Sequence, residues 1–239
     1  MSAEQLEELL LVQERDLALD RLRHRRATLP ERAELDARGS DRARRAAAAT
    51  EIRARRDTLL SEERRLDDES RAIGAHAAEV EQKLYSGSIT SPRELQAMQA
   101  DVDMLKRQQS DVDDRELAVM EDRETLDMQL DSLEREIAQL DEQMAALRAA
   151  IAASEAQIDA EIASEEAARE LHAAGLPPAL LADYERRRER NRGSGAARLV
   201  GVTCQACRLS IPSTEAERIR RGGGTEVAYC DNCGAILVP

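Results

Sequence analysis

Four cysteines carry the clearest chemistry in this 239-residue chain. They form two pairs, Cys204-Gln205-Ala206-Cys207 and Cys230-Asp231-Asn232-Cys233, with 22 residues between Cys207 and Cys230. Two residues between cysteines let both thiolates of a tight turn face one ion at about 2.3 Å, and two such knuckles complete a tetrahedron. Four protein thiolates close the shell and leave no position for water or substrate, so the site is structural. The expected cofactor is one structural Zn2+ held by Cys204, Cys207, Cys230 and Cys233, with iron as the alternative. A thioredoxin-like motif is disfavoured because neither pair opens a helix in a βαβ context.

Little else resembles catalytic machinery. His24, His76 and His172 are isolated on helical stretches, with no nucleophile or carboxylate constellation beside them, and no enzyme activity is expected. The run Gly222-Gly223-Gly224 lacks the strand-to-helix context and the Lys-Ser/Thr of a phosphate-cradling loop. The remaining candidate contact is a basic run just ahead of the cysteines: Arg186, Arg187, Arg188, Arg190 and Arg192. It has two readings. The side chains pair with acids of the preceding helix or complement their own helix dipole. Alternatively, they contact nucleic acid or a protein partner.

These residues need elements to position them. Residues 196–239 read as a small β zinc ribbon, with strands at 198–202, 226–229 and 235–238 and with Tyr229 in its core. Gly234 supplies the positive φ that follows a knuckle, and Ser213 caps a single helical turn. A segment of this size cannot hold itself together by core alone, so metal binding supplies much of its folding energy. Residues 176–195 read as a connector. Pro178 starts a short helix to about residue 191, with Leu180, Leu181 and Tyr184 on one face, and Gly193-Ser194-Gly195 forms a hinge or loop.

Residues 1–175 read as two long helices joined at 86–91. Gly87 ends the first in a left-handed backbone. Ser91 caps the second, Pro92 sits at its first position and Glu94 reaches back. Pro30 predicts a break near Leu29, and Gly39-Ser40 a second weak point. From Leu95 to Ile158 apolar residues recur at alternating spacings of three and four, interrupted only at Gln109, Glu116, Arg123 and Ser154. Such a repeat requires a partner helix. A short turn between helices of similar length favours an antiparallel hairpin over a parallel dimer. Glu116 and Arg123 are expected to face the Arg-rich middle of the first helix and fix the register. The fold class is therefore mainly α: a long antiparallel coiled-coil hairpin with a small C-terminal β zinc ribbon.

Composition agrees. Charged residues make up 35% and aromatics 1%, which suits long helices rather than a single globular core. The formal charge of −13 means that the chain as a whole is not drawn to nucleic acid or anionic membrane. Basic clusters at 21–26 and 42–45 are expected to be solvated faces. The acidic start has no apolar leader and no run is long enough to cross a membrane, so a cytoplasmic location without membrane contact is expected, where thiols bind metal rather than form disulfides.

The bend Lys83-Leu84-Tyr85-Ser86-Gly87-Ser88-Ile89-Thr90-Ser91-Pro92-Arg93-Glu94-Leu95-Gln96, followed by Cys230-Asp231-Asn232-Cys233-Gly234-Ala235-Ile236-Leu237, resembles the bacterial coiled-coil family with a C4-type zinc ribbon. The resemblance implies ligand roles for the four cysteines and non-enzymatic work as an adaptor or chaperone for flagellar, sigma-factor or type III secretion partners, with RNA binding in the flagellar type. Many relatives carry a basic or polar residue and an aromatic near the last strand; this chain has Ala235 and Val238 there. The Arg- and Ala-rich helices suggest a high-GC bacterium. The function expected is a zinc-binding scaffold for protein partners. The alternative is a nucleic-acid-binding regulator using the ribbon and the arginine run. Oligomeric state is left open.

Overall fold

The computed structural model describes residues 2–222 and 227–239. Its helices are α1 (Ala3–Ala27), α2 (Pro30–Tyr85), α3 (Pro92–Ala174), α4 (Pro178–Arg190) and α5 (Ser213–Arg221). Its strands are β1 (Ala196–Val200), β2 (Thr203–Cys204), β3 (Ala228–Tyr229) and β4 (Ile236–Val238). None of the described helices is long and apolar enough to cross a membrane.

Local signals account for most helix ends. Ser2 and Gln5 form a reciprocal capping box at the start of α1. α1 stops at Ala27 and α2 starts at Pro30, as the proline requires. At the bend Gly87 has φ +74°, and α3 opens at Pro92 with the Leu95 N–H donating to the Ser91 carbonyl at 3.1 Å. The weak point expected at Gly39-Ser40 is absent. α2 runs straight through it, with the Ser40 hydroxyl donating to the Asp36 carbonyl at 3.0 Å.

The chain falls into two compact units. One comprises residues 35–146, where α2 and α3 pair antiparallel around Val102, Leu105, Val112, Leu130, Leu140 and Met144 of the seam, with Ala49, Leu66 and Ala77 opposite. Charged pairs set the register: Arg42–Asp141 at 2.5 Å, Arg45–Glu136 at 2.6 Å, Arg53–Glu134 at 2.6 Å and Lys106–Glu81 at 3.1 Å. Positions rise on one helix as they fall on the other, which is the antiparallel hairpin and not the parallel dimer. Contrary to the expectation that it faces arginines, Arg123 pairs with Glu63 of α2 at 2.8 Å and with Asp127 of its own helix at 3.2 Å. Gln109 lies over Gly74, within reach of Ser70, whose hydroxyl donates to Asp113 at 2.5 Å.

The other unit holds residues 1–34 and 147–239. Here α1 lies along the end of α3, with Arg15–Glu165 at 3.1 Å, Arg23–Glu166 at 3.0 Å and Arg26–Asp159 at 2.7 Å. Many arginines of the clusters at 21–26 and 42–45 thus pair across helices instead of forming merely solvated faces.

The four strands form one sheet in the order β2-β1-β4-β3. β1 and β4 are parallel, and β2 and β3 flank them antiparallel. Strand bounds differ from those read in the sequence. β1 lies at 196–200 because Gly201, at φ +60°, turns the chain into β2. β3 is only Ala228–Tyr229; Glu226, Gly223 and Gly224 lie outside the described residues. α5 has nine residues rather than one turn, and the residue at its N-cap is Pro212, not Ser213.

Both faces of the sheet are covered, and the period of two decides what each residue touches. Ala197, Leu199 and Leu237 pack with Ile211, Ala216, Ile219 and the cysteines. Ala196, Ile236 and Val238 pack with Leu6, Leu9, Leu10 and Val12 of α1 and with Leu180 and Tyr184 of α4. The three-part division expected at 175 and 195 therefore does not separate the packing. Connector and ribbon share a core with the first helix.

Candidate metal centre

Each cysteine pair sits in a knuckle of the same construction. In the first, the Arg208 N–H donates to the Cys204 carbonyl at 2.8 Å, and the Cys204 N–H to the Leu209 carbonyl at 3.1 Å. In the second, the Gly234 N–H donates to the Cys230 carbonyl at 2.7 Å, and the Cys230 N–H to the Ala235 carbonyl at 2.9 Å. The equivalent residues Arg208 and Gly234 both have positive φ, 59° and 75°. Gly234 was legible as such; Arg208 was not, because arginine rarely adopts this backbone.

The turns bring the four sulfurs within 4.8 Å of one another. Cys204 and Cys233 are 3.9 Å apart, Cys207 and Cys230 3.8 Å, and none is in a disulfide. A tetrahedral ion with bonds of about 2.3 Å requires sulfurs about 3.8 Å apart, so the set fits zinc without rearrangement. The donor chemistry argues the same way. Burial and the neighbouring thiols push Cys233 up to about 12. Burial, with Cys230 nearby, also raises Cys204. For Cys230 burial opposes ionisation but is outweighed by the N–H groups of Cys233 and Asn232. Four crowded sulfurs become thiolates together only around a cation. All four ligands come from the chain, so the centre holds structure and offers no open position for chemistry.

The five arginines named from sequence divide. Arg186 and Arg187 both reach Asp183, at 3.2 Å and 2.8 Å. Arg187 also donates to the Gly234 carbonyl at 2.6 Å and lies 3.7 Å over the Tyr229 ring. Tyr229 is thus not ribbon core: it is 40% exposed, with a guanidinium stacked on it. Burial alone would raise Asp183, but Arg187 outweighs it and holds that carboxyl below the usual range. Arg188 binds Asp20 at 2.7 Å and approaches Asp16 at 3.7 Å. Arg190 and Arg192 are exposed and line a cleft that also contains Cys207 and Cys233. Ala235 and Val238 are 0% and 1% exposed, so neither offers a surface contact.

Two residues that position this site went unrecognised in the sequence. Gln13 and Asp16 sit on the apolar face of α1, 5% and 2% exposed. The Gln13 amide donates to the Gly193 carbonyl at 2.8 Å and accepts from the N–H groups of Gly195 at 2.6 Å and Ala196 at 3.1 Å. Asp16 accepts from the Tyr184 hydroxyl at 2.6 Å and from Arg169 at 2.7 Å. Burial and Asp16 raise the tyrosine well above its ordinary value. The 193–195 segment is therefore not a hinge. A Cβ on Gly195 would lie 2.6 Å from Tyr184. The available signal was a glutamine and an aspartate interrupting a stripe that otherwise reads Leu9, Val12, Leu19.

Known proteins show the same parts. The CT398-like coiled coil hairpin domain matches residues 12–192, and the C4-type zinc ribbon domain residues 203–237. Two proteins from two strains of Mycobacterium tuberculosis, both named only as uncharacterized, are each 31% identical over 226 residues, covering 93% of this chain and 90% of theirs. A solved structure from Mycobacterium smegmatis superposes with TM-score 0.87 at 24% identity, covering 100% of this chain and 98% of that one. CT398 from Chlamydia trachomatis gives TM-score 0.70 at 16% identity, covering 98% and 96%. At these identities the two structures show a shared fold. With three quarters of its length in the hairpin match and its four cysteines gathered for one zinc ion, the chain belongs to the family of CT398-like coiled-coil hairpin proteins that end in a C4-type zinc ribbon.

Proposed function

We propose that this protein is a non-enzymatic adaptor that uses its helical surfaces and zinc ribbon to bind protein partners. One observation carries the reading: the metal's four ligands are all protein, and the sheet that presents them shares its core with α1 and α4. Metal bound in this way stabilises a surface and leaves no site for a reaction. The ribbon holds Val200 and Leu209 about half exposed near its first knuckle, where a partner can meet them.

Nucleic-acid binding has less support. Three of the five arginines proposed for it are engaged with Asp183, Asp20 and backbone, and the chain is strongly acidic.

Affinity capture with the full-length, zinc-loaded protein, with and without nuclease, separates the two. The adaptor reading expects a stoichiometric protein that survives nuclease, rebinds when purified, and is weakened by Val200→Ser with Leu209→Ser. Recovery of nucleic acid alone, lost in Arg190→Gln with Arg192→Gln, overturns it. Truncation after Gly195 is unsuitable, because it uncovers Leu6, Leu9 and Leu10 and creates a sticky face.

A further inference from the structure

Of the five arginines beside the metal centre, three are ion-paired: Arg186 and Arg187 with Asp183, and Arg188 with Asp20. The side chains of Arg190 and Arg192 have no hydrogen-bond or ion-pair partner among the described residues. Both line a cleft of about 400 Å3 shared with Cys207 and Cys233. The segment carrying them is held in place. Arg192 has φ +52°, a backbone an L-residue keeps only where its surroundings impose it. The Gly193 N–H donates to the Arg188 carbonyl at 2.9 Å, and Gln13 holds the Gly193 carbonyl.

The sulfurs differ in what neutralises them. One divalent zinc among four thiolates leaves two net negative charges. Cys204 is buried and receives the N–H groups of Cys207 and Ala206; Cys230 is buried and receives those of Cys233 and Asn232. Cys207 and Cys233 are half-buried and open onto the cleft, Cys233 with the N–H of Ala235 alone where the buried sulfurs receive two each.

We propose that Arg190 and Arg192 are the counter-charge of the metal centre: the two unpaired guanidiniums share the cleft with the half-buried thiolates and strengthen zinc binding electrostatically. They are positioning residues, not ligands.

The test uses the full-length chain at one fixed pH near neutrality. Zinc affinity is measured by competition with a metallochromic chelator, and the thiolate charge-transfer band by replacing zinc with Co2+. Arg190→Gln with Arg192→Gln should weaken zinc about tenfold at low salt, and the deficit should shrink to about twofold or less in about 1 M NaCl, where charges are screened beyond ~3 Å. Its cobalt spectrum should keep four-thiolate intensity with a shifted charge-transfer band, and Arg190→Lys with Arg192→Lys should restore affinity. Arg192→Gly keeps the backbone relaxed and removes the charge, so it should weaken zinc even if the glutamine pair folds poorly. Unchanged affinity in the glutamine variant, a salt-independent deficit, or failure of lysine to rescue overturns the proposal. Saturable binding of inorganic phosphate that needs these arginines, with zinc affinity unaffected by their loss, would assign the cleft to an external anion instead.

Discussion

At the scale of single residues, the two knuckles form an internal comparison. Arg208 and Gly234 occupy the same left-handed position, yet only one is glycine. A side chain there costs about 1–2 kcal/mol, partly offset by glycine's greater freedom when unfolded, about 0.5–1 kcal/mol. Arg208→Gly should therefore stabilise the zinc-loaded protein by roughly 0.5–1 kcal/mol. Gly234→Ala should destabilise it by about 1 kcal/mol, since the added Cβ would meet only Arg187 at an ordinary 3.6 Å. Urea unfolding of both variants checks the opposite signs. A second residue-scale test concerns Asp16. Tyr184→Phe removes its closest donor and should cost about 1–2 kcal/mol. Gly195→Ala should cost more, because the Tyr184 backbone carbonyl and ring both stand 2.6 Å from the new carbon and the carbonyl cannot rotate away. If Gly195→Ala were neutral in the same urea assay, the connector would be looser than its hydrogen bonds indicate. The cysteines were legible because ligation demands a fixed spacing. Gln13 and Asp16 were not, because nothing local tells a buried polar side chain from a solvated one until its partners, some 150 to 180 positions away, are in place.

At the scale of elements, two mechanisms divide the work of pairing α2 with α3. The α3 seam was legible because a 3.5-residue repeat marks one face of one helix. The α2 side was obscure, since its arginines interrupt the apolar track, and their role depends on which acids lie opposite. Arg45 with Glu136 and Arg42 with Asp141 show that the basic middle of α2 is matched to the acidic stretch of α3. Such exposed pairs contribute little singly, but they penalise slippage, since a shifted register brings like charges together. Arg45→Glu and Glu136→Arg should each lower the melting temperature by about 1–3 °C at low salt, and the double swap should recover most of the loss. If the double swap melts no higher than the worse single variant, the pair does not exist in solution and the apolar seam alone sets the register. High salt should flatten all four values together.

At the scale of the whole chain, metal and first helix are linked through a shared core. Leu6, Leu9, Leu10 and Val12 form a stripe that, read alone, could face α3 or any other apolar surface; the sequence contains no mark that β4 covers it. The sequence alone therefore reads as hairpin, short helix with linker, and ribbon, whereas the ribbon is docked on α1. The two sides of the sheet are coupled, since neighbouring residues of β4, Ile236, Leu237 and Val238, point alternately toward α1 and toward the cysteines. Metal binding provides much of the folding energy of so small a sheet, so its loss should reach α1. Chelation of zinc, or Cys204→Ser, should leave helical circular dichroism nearly intact, because long helices dominate the signal and neither α2 nor α3 contributes ligands. Hydrogen exchange should localise the effect. Amides around Leu6, Leu9 and Val12 should lose protection along with β1 and β4, while those around Leu105 and Leu130, in the other unit, should keep it. Uniform loss along α2 and α3 would mean that the metal stabilises the entire hairpin. Full retention around Leu6 and Leu9 would mean that the Gln13 and Asp16 clamps dock the connector without zinc, and that the metal centre organises only its own two knuckles.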